Sequence, residues 1–188
     1  MPSFHTMTHS AFHRSIAESL GYNTPHITQS QLIAKSAGTG NEIYAHQDSC
    51  VSFTNPPSCL TFWYALEDAT VENGCLCVAR GSHLTEPVRQ RLVKGENGEP
   101  KFEALETPLW ARGARSTAKE VERMEYEYEP LEVKKGSLVL FHGNLMHRSA
   151  KNQSEKSRTS YVFSIIDGNR ECPDDTYMKP VGSNFDLL

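Results

Sequence analysis

The sequence predicts a mainly β protein, built as an antiparallel sandwich or jelly roll. About eight short segments are rich in β-branched and aromatic residues, and Gly, Asn, Pro or Ser separates them. No helical pattern lies between these segments, whereas a wound parallel sheet requires crossover helices. The predicted strands are residues 26–35, 41–46, 59–67, 75–80, 126–133, 137–142, 146–150 and 158–166.

A helix is predicted before the first strand, over residues 4–20. Its apolar side chains recur roughly at the spacing of one helical stripe, and Gly21 follows as a stop signal. The stripe consists of Phe4, Met7, Ala11, Ile16 and Leu20. The expected fold is therefore a strand-rich core preceded by one N-terminal helix.

Residues 94–125 interrupt the alternation of strand and turn. This segment is polar and charged, contains two prolines and is too long for a hairpin turn. We interpret it as a surface insertion, either a loop that approaches a site or a solvated loop without such a role. The chain has 188 residues and no internal repeat. A single domain is therefore expected over residues 1–188, with its core strands within 24–168.

Composition and charge narrow the class of protein. Hydrophobic residues make up 38% of the chain and the mean hydropathy is −0.51, as is typical of a globular domain. The net charge of −4 argues against a nucleic-acid partner. Apolar runs have the length of strands, which argues against a membrane partner, and the first residues lack a signal-peptide pattern. The five cysteines are then expected to be reduced thiols in a cytoplasmic protein.

His46 and Asp48 form a candidate pair of metal ligands. Residues two apart on a strand face the same side, so both side chains can converge on one point. Two histidines and one carboxylate suit Fe(II), which they bind on one octahedral face with three positions left open. Taken alone, such a pair is more often a polar feature beside a turn. Further strand-borne histidines that could complete the site are His26, His142 and His147.

The second half of the candidate site begins at His147. A polar turn at residues 151–156 follows this short predicted strand, and Arg158 begins the next one. Arg158 and Ser160 share a face by the two-residue spacing, and a guanidinium beside a hydroxyl is a natural receptor for a carboxylate. On neighbouring strands, His147 and Arg158 could together hold a dicarboxylate that bridges metal and arginine. The alternative for Arg158 is a solvated cation at a strand start.

The chain resembles the phytanoyl-CoA dioxygenase family of Fe(II)- and 2-oxoglutarate-dependent oxygenases, and within it the phytanoyl-CoA dioxygenase domain-containing proteins. The resemblance covers about residues 25–168. It is carried by HQDSC at 46–50, FWYALEDATVENGCLCVARGSH at 62–83, GSLVLFHGNLMHRSAKNQSEKSR at 136–158 and the strand that follows. It implies a double-stranded β-helix, which is a cupin-like jelly roll.

The resemblance also implies which residues form the active site. By resemblance His46, Asp48 and His147 bind Fe(II), and Arg158 binds the distal carboxylate of the co-substrate 2-oxoglutarate. Ser160 is implied to assist Arg158 in that contact. With Asp48 intact, the implied chemistry is hydroxylation rather than halogenation.

Three further residues are implied to lie near the co-substrate. Trp63 stands where the family places an aromatic residue, and Lys35 matches a lysine near the end of an earlier strand. Gln29 is a further candidate on the same strand as Lys35. Core packing for Trp63 and an exposed strand position for Lys35 are the alternatives.

The implied activity is hydroxylation of a small-molecule or acyl substrate with O2, releasing succinate and CO2. The sequence leaves the substrate and the oligomeric state open. Relatives carry many more residues before the point where this chain starts, and that region lines one side of their pocket. A catalytically impaired module that binds metal and 2-oxoglutarate is therefore the alternative. A zinc hydrolase with the same triad ranks last, because it has no need of Arg158.

Overall fold

The computed structural model describes residues 2–114 and 124–188. In these residues the chain forms two α-helices, eleven β-strands and two 3-10 helices. The α-helices are α1 (Pro2–Thr8) and α2 (Ala11–Ser19). The strands are β1 (Pro25–Lys35), β2 (Ile43–His46), β3 (Leu60–Ala65), β4 (Leu76–Val78), β5 (Val88–Lys94), β6 (Pro100–Leu109), β7 (Glu129–Leu131), β8 (Leu138–His142), β9 (His147–Ser149), β10 (Arg158–Asp167) and β11 (Asp186–Leu187). The 3-10 helices are Asp48–Cys50 and Ser82–Leu84.

The strands form two principal sheets. The larger has the order β11-β1-β10-β3-β8 and the smaller has the order β2-β9-β4-β7, with antiparallel pairing throughout. Strands β5 and β6 form a separate hairpin. The predicted mainly β, jelly-roll class is thus confirmed. The eight predicted strands correspond to β1–β4 and β7–β10, with ends that shift by a few residues.

The central strands of the larger sheet are covered on both faces. On the outer face, Phe62 and Phe163 are fully buried in a cluster that includes Ala17 of α2. On the inner face, Trp63 packs in a second cluster with Leu76, which belongs to the smaller sheet. Removing a side chain of this size from water contributes about 1.5–3 kcal/mol to folding. Apolar side chains of both sheets therefore pack in the space between them.

The N-terminal segment is helical, as predicted, but it forms two helices instead of one. The chain breaks at residues 9–10, where the Ser10 hydroxyl caps α2 by accepting a hydrogen bond from the His13 backbone N–H. The His13 ring is buried and meets the Tyr64 hydroxyl at 2.6 Å, which fixes α2 on the sheet. Gly21 has φ +88°, so the predicted stop signal acts through a left-handed turn. Among the described residues, neither helix has the length and apolar character needed to cross a membrane.

The loop predicted for residues 94–125 is wrong over Pro100–Leu109, which form strand β6 against β5. One charge of that segment, Glu103, lies 3.7 Å from Arg91 of β5, which also donates to Asp175 at 2.6 and 2.7 Å. Most of β6 is exposed, in keeping with the predicted surface position. Residues 115–123 of the predicted insertion lie outside the described residues. The single domain over 1–188 stays a prediction.

Candidate metal centre

The candidate metal centre begins where β2 ends. We expected His46 and Asp48 on one strand, but β2 stops at His46 and Asp48 opens a 3-10 helix. Gln47 between them is extended, with φ −120° and ψ 130°, so the two side chains still face the same side. The Gln47 amide points the other way and donates to the carbonyls of Glu86 at 3.1 Å and Asn144 at 2.8 Å. The residue between the two candidate ligands therefore anchors the turn that carries them.

Strand pairing brings His147 to the same place. β9 pairs with β2 so that His147 lies directly opposite His46, with ring centroids 4.2 Å apart. Asp48 Oδ1 lies 3.4 Å from His46 Nε2 and 3.7 Å from His147 Nε2. One ligand atom from each of the three residues lies within 4.8 Å of the others. The arrangement has the composition of the two-histidine, one-carboxylate face that binds non-haem iron.

The histidine tautomers fit a metal at this point. Nδ1 of His46 lies 2.7 Å from the Tyr44 carbonyl, and Nδ1 of His147 lies 3.0 Å from the Leu145 carbonyl. Since a carbonyl only accepts, each Nδ1 carries the hydrogen and donates it. In the neutral ring, Nε2 then keeps its lone pair for a metal at the point where the two histidines and Asp48 meet. The residues present therefore fit an iron-type ion.

Opposing effects set the charges of the triad. Burial favours the neutral Asp48 carboxyl, but His147 and His46, with the Thr61 hydroxyl, hold its pKa below the usual value. Burial lowers the pKa of His147, and the attraction of Asp48 opposes this only in part. Burial also lowers the pKa of His46, but the contact with Asp48 outweighs it and raises that pKa above its usual value. Asp48 is thus an anion at neutral pH, which is the form a metal requires.

Thr61 determines which Asp48 oxygen is available. Its hydroxyl donates to Asp48 Oδ2 at 2.6 Å, from strand β3 of the larger sheet. Thr61 is fully buried, and its oxygen also lies 3.1 Å from the Ser164 hydroxyl. Oδ2 is therefore occupied, and Oδ1 faces the two histidines.

A cavity of about 180 Å³ extends from the triad between the sheets. Apolar walls come from Trp63, Leu76, Phe141 and Val162. Arg158, which is only 1% exposed, also lines the cavity. We expected Arg158 beside His147 on a neighbouring strand, but β9 and β10 lie in different sheets. Both residues nevertheless line the cavity, from opposite sheets, so one ligand could contact the triad and Arg158 together.

Arg158 is a buried cation held by neutral groups. Its Nη1 donates to the Ser160 hydroxyl at 2.9 Å, and its Nη2 donates to the Gly74 carbonyl at 2.7 Å and the Ser149 hydroxyl at 3.2 Å. Its Nε is buried and, within the described residues, has no hydrogen-bond partner. Burial lowers the pKa of Arg158 to about 10. No carboxylate of residues 2–114 or 124–188 pairs with it, so its charge is available to an anionic ligand.

The other predicted residues divide between cavity and core. Trp63 belongs to both, since it lines the cavity and packs in the core. Its ring centroid lies 5.6 Å from Cζ of Arg158. Gln29 lines the cavity. Ser160 contacts Arg158 as expected, from a fully buried position. Lys35 is 2% exposed, which contradicts an exposed strand position, and its ammonium donates to the carbonyls of Ser149 and Ala150. It does not itself line the cavity, and its role toward the co-substrate stays a prediction.

Ser149 is a site residue that sequence reasoning missed. It lines the cavity and accepts a hydrogen bond from Arg158. It follows His147 by two residues on β9, so the two-residue rule places both on the same face. That signal was available in the sequence.

A second groove, of about 610 Å³, adjoins the cavity. The two share Ile43, His46 and Val51 as a common wall. Large apolar side chains dominate the outer part of this groove, and several of them are exposed to solvent. They are Tyr44, Phe102, Met124, Tyr126 and Met146.

Comparison with known proteins places these features in context. The family model described as phytanoyl-CoA dioxygenase (PhyH) matches residues 4–160. A phytanoyl-CoA dioxygenase of Arabidopsis thaliana is 35% identical over 174 residues, which cover 89% of this chain and 54% of the relative. Phytanoyl-CoA dioxygenase domain-containing protein 1 of Mus musculus is 34% identical over 169 residues, covering 88% and 53%. The chain spans about half the length of the curated relatives it matches.

Solved structures share the fold. The epimerase SnoN, in complex with Fe3+, alpha ketoglutarate and nogalamycin RO, superposes with a TM-score of 0.67 at 18% identity, over 100% of this chain and 69% of SnoN. The non-heme monooxygenase ThoJ superposes with a TM-score of 0.59 at 22% identity, over 87% of this chain and 54% of ThoJ. At these identities the likeness concerns the fold alone.

Proposed function

Because the chain belongs to the phytanoyl-CoA dioxygenase family, we propose that it is an Fe(II)- and 2-oxoglutarate-dependent dioxygenase. It hydroxylates a small-molecule or acyl substrate and releases succinate and CO2. One observation carries the proposal: a single cavity is lined both by the His46–Asp48–His147 triad and by the buried cation Arg158, with which no described carboxylate pairs. That cavity suits a short dicarboxylate held at both ends.

His46, Asp48 and His147 hold the metal in this proposal. Their Nε2 atoms and Oδ1 are the ligand atoms, since Nδ1 of each histidine donates to a carbonyl and Oδ2 of Asp48 accepts from Thr61. Bound Fe(II) would supply the redox chemistry that couples oxidative decarboxylation of 2-oxoglutarate to substrate hydroxylation. With only three protein ligands, a bound ion would keep coordination positions for co-substrate and O2.

Arg158 binds the distal carboxylate of 2-oxoglutarate. The carboxylate would give Arg158 Nε–H a hydrogen-bond partner, which the described residues do not supply. It would also neutralise the guanidinium charge, which now contacts only uncharged hydroxyl and carbonyl oxygens. Trp63 and Phe141 flank the cavity and exclude water from the bound chain. Charge pairing in such a dry site is stronger than in solvent.

The substrate lies in the adjoining groove. The inner cavity of about 180 Å³ is below the size of a site for a second organic ligand, whereas about 610 Å³ is within the usual range of roughly 300–1,000 Å³. His46 borders both spaces, so a substrate there would lie beside the metal. Its side chain is 38% exposed, which leaves the metal open toward the groove.

Succinate formation tests the proposal. Purified chain is mixed anaerobically with Fe(II) and 2-oxoglutarate, oxygen is admitted, and succinate is measured with a panel of small-molecule and acyl substrates. Turnover should vanish in Asp48→Ala and persist in the matched variant Asp186→Ala, whose side chain lies in the exposed strand β11. Calorimetric binding of metal and 2-oxoglutarate without succinate across the panel would favour the alternative, a catalytically impaired binding module.

A further inference from the structure

Lys35 is a buried lysine directly beside Arg158. It is the last residue of β1, and the register of β1 and β10 sets it opposite Arg158. It is 2% exposed, although lysine is rarely buried without a charged partner. Among the described residues no carboxylate forms an ion pair with it. The fold thus keeps two cations side by side behind the cavity.

The Lys35 ammonium ties the two sheets together. Nζ donates to the carbonyls of Ala150 at 2.5 Å and Ser149 at 3.2 Å, at the end of β9 in the opposite sheet. The Ser149 hydroxyl in turn accepts from Arg158 Nη2. Lys35 therefore holds the backbone that places one of the partners of Arg158.

Two glycines, Gly40 and Gly74, make room for the Lys35 side chain. A Cβ at Gly40 would lie 2.6 Å from the Lys35 Cβ. A Cβ at Gly74 would overlap the Ala150 carbonyl oxygen and lie 3.3 Å from Lys35 Cδ. The Gly74 carbonyl is itself a partner of Arg158. Glycine at both positions lets the lysine chain pass and brings Gly74 to the guanidinium.

We propose that Lys35 is a positioning residue for the co-substrate: it fixes Arg158 through Ser149 and adds a second positive charge behind it. The inference rests on the proposed function, since the ligand is the distal carboxylate of 2-oxoglutarate. Lys35 itself does not touch the cavity. It strengthens the cavity's affinity for an anion at the end remote from the metal.

The charge of Lys35 responds to its neighbours. Burial lowers the pKa of Lys35 to about 8, and the adjacent Arg158 cation acts in the same direction. Glu42, Cys77 and Cys75 oppose this from neighbouring segments. An anion bound at Arg158 favours the protonated amine, so the binding of 2-oxoglutarate should draw a proton onto Lys35 above pH 8.

Calorimetry with Mn(II) in place of Fe(II) tests the inference in the full chain. Lys35→Met keeps the length of the side chain and removes its charge, and Lys151→Met is the control at an exposed position beside Ala150. The dissociation constant for 2-oxoglutarate should rise about 10-fold in Lys35→Met, as for other outer-shell positioning groups. The dissociation constant for Mn(II) alone should stay unchanged, and Lys151→Met should match the wild type.

A second readout can be made on the wild type itself, with Lys35→Met as the comparison. At pH 8.5, titration of 2-oxoglutarate into the wild-type Mn(II) protein in buffers of different ionisation enthalpy should reveal proton uptake. Lys35→Met should show none. Equal 2-oxoglutarate affinity in Lys35→Met, parallel loss of Mn(II) affinity, or no proton uptake by the wild type would overturn the inference. Failure of the wild type to bind 2-oxoglutarate at all would instead reject the proposed function.

Discussion

Thr61 holds the Asp48 carboxylate through one short hydrogen bond to Oδ2. Thr61→Val removes the hydroxyl with little change in shape. The Asp48 carboxylate can then rotate, so that Oδ1 is no longer held toward the two histidines. We expect Mn(II) affinity to fall about 10- to 100-fold. Thr61→Ser retains the hydroxyl and is the matched control, measured by the same metal titration. Equal affinities in the two variants would show that Oδ2 needs no donor.

His142 gives the fold a pH dependence. Its Nδ1 accepts a hydrogen bond from the Asn144 backbone N–H at 3.0 Å, which protonation would break. Burial, together with nearby His83, lowers the pKa of His142 to about 4. Above pH 6.5 the ring is neutral whether the chain is folded or unfolded. As the pH falls from 6.5 to 4, only the unfolded chain takes up the proton, so stability is lost, by at most roughly 3 kcal/mol.

His142→Asn keeps an acceptor near the same backbone N–H and does not titrate. Chemical denaturation at pH 7 and pH 4.5 should therefore show a smaller loss of unfolding free energy in this variant than in the wild type. The comparison isolates His142, because buried His13 also has a lowered pKa and acts in the same direction in both proteins. An identical pH response in the two proteins would contradict the assignment.

Individual residues were predictable where one extended segment carries the whole pattern. The two-residue rule identified His46 with Asp48 and Arg158 with Ser160, because the geometry of an extended chain is local. It extends equally to Ser149 after His147. It cannot locate Lys35, whose ammonium is bonded to the opposite sheet, since the contact depends on how the two sheets are spaced.

At the scale of elements, the turn between β8 and β9 supports the metal centre through Gly143. A Cβ at Gly143 would overlap Cys59 Cβ, lie 2.5 Å from Ser49 Oγ and 2.7 Å from Cys59 Sγ. The Gly143 carbonyl also accepts from the Ser49 N–H at 3.0 Å, in the 3-10 helix that Asp48 opens. We expect Gly143→Ala to displace that helix, with a loss of about 1–3 kcal/mol in unfolding free energy and weaker Mn(II) binding.

Gly95→Ala is the matched control for this change. A Cβ there meets only the Glu99 side chain, which is exposed and can move aside. Denaturation and metal titration should leave Gly95→Ala close to the wild type. If Gly143→Ala behaved the same way, the turn would not govern the position of Asp48.

Elements were predictable where β-branched and aromatic residues cluster between turn residues, as in the segments that form β1–β4 and β7–β10. Strands β5 and β6 were missed: most of β6 is exposed, and Arg91 of β5 pairs with Asp175 from a distant segment. The apolar contacts of the hairpin, such as Val88 with Phe53, also join segments that are far apart in sequence. The break between α1 and α2 was missed because an apolar stripe can continue across a capped turn. The hairpin thus depends on contacts remote in sequence, whereas the helix break depends on the local Ser10 cap.

At the scale of the whole molecule, the triad links the two principal sheets. His46 and His147 come from the smaller sheet, and Asp48 is bonded to Thr61 of the larger one. A metal bound by all three joins both sheets and binds only the folded chain. At 100 times its dissociation constant, Mn(II) should raise the unfolding free energy by about 2.7 kcal/mol. A saturating concentration of 2-oxoglutarate should raise it further, since it adds contacts at Arg158.

Thermal unfolding followed by both circular dichroism and tryptophan fluorescence measures these shifts. If residues 1–188 form a single domain, both signals should move together in one transition, because a ligand at the junction stabilises both sheets at once. Arg158→Met should keep the shift with Mn(II) and lose the added shift with 2-oxoglutarate, whereas His147→Ala should lose both. Two separate transitions, with metal moving only one, would contradict the single domain. A 2-oxoglutarate shift that survives in Arg158→Met would contradict the assignment of the carboxylate anchor.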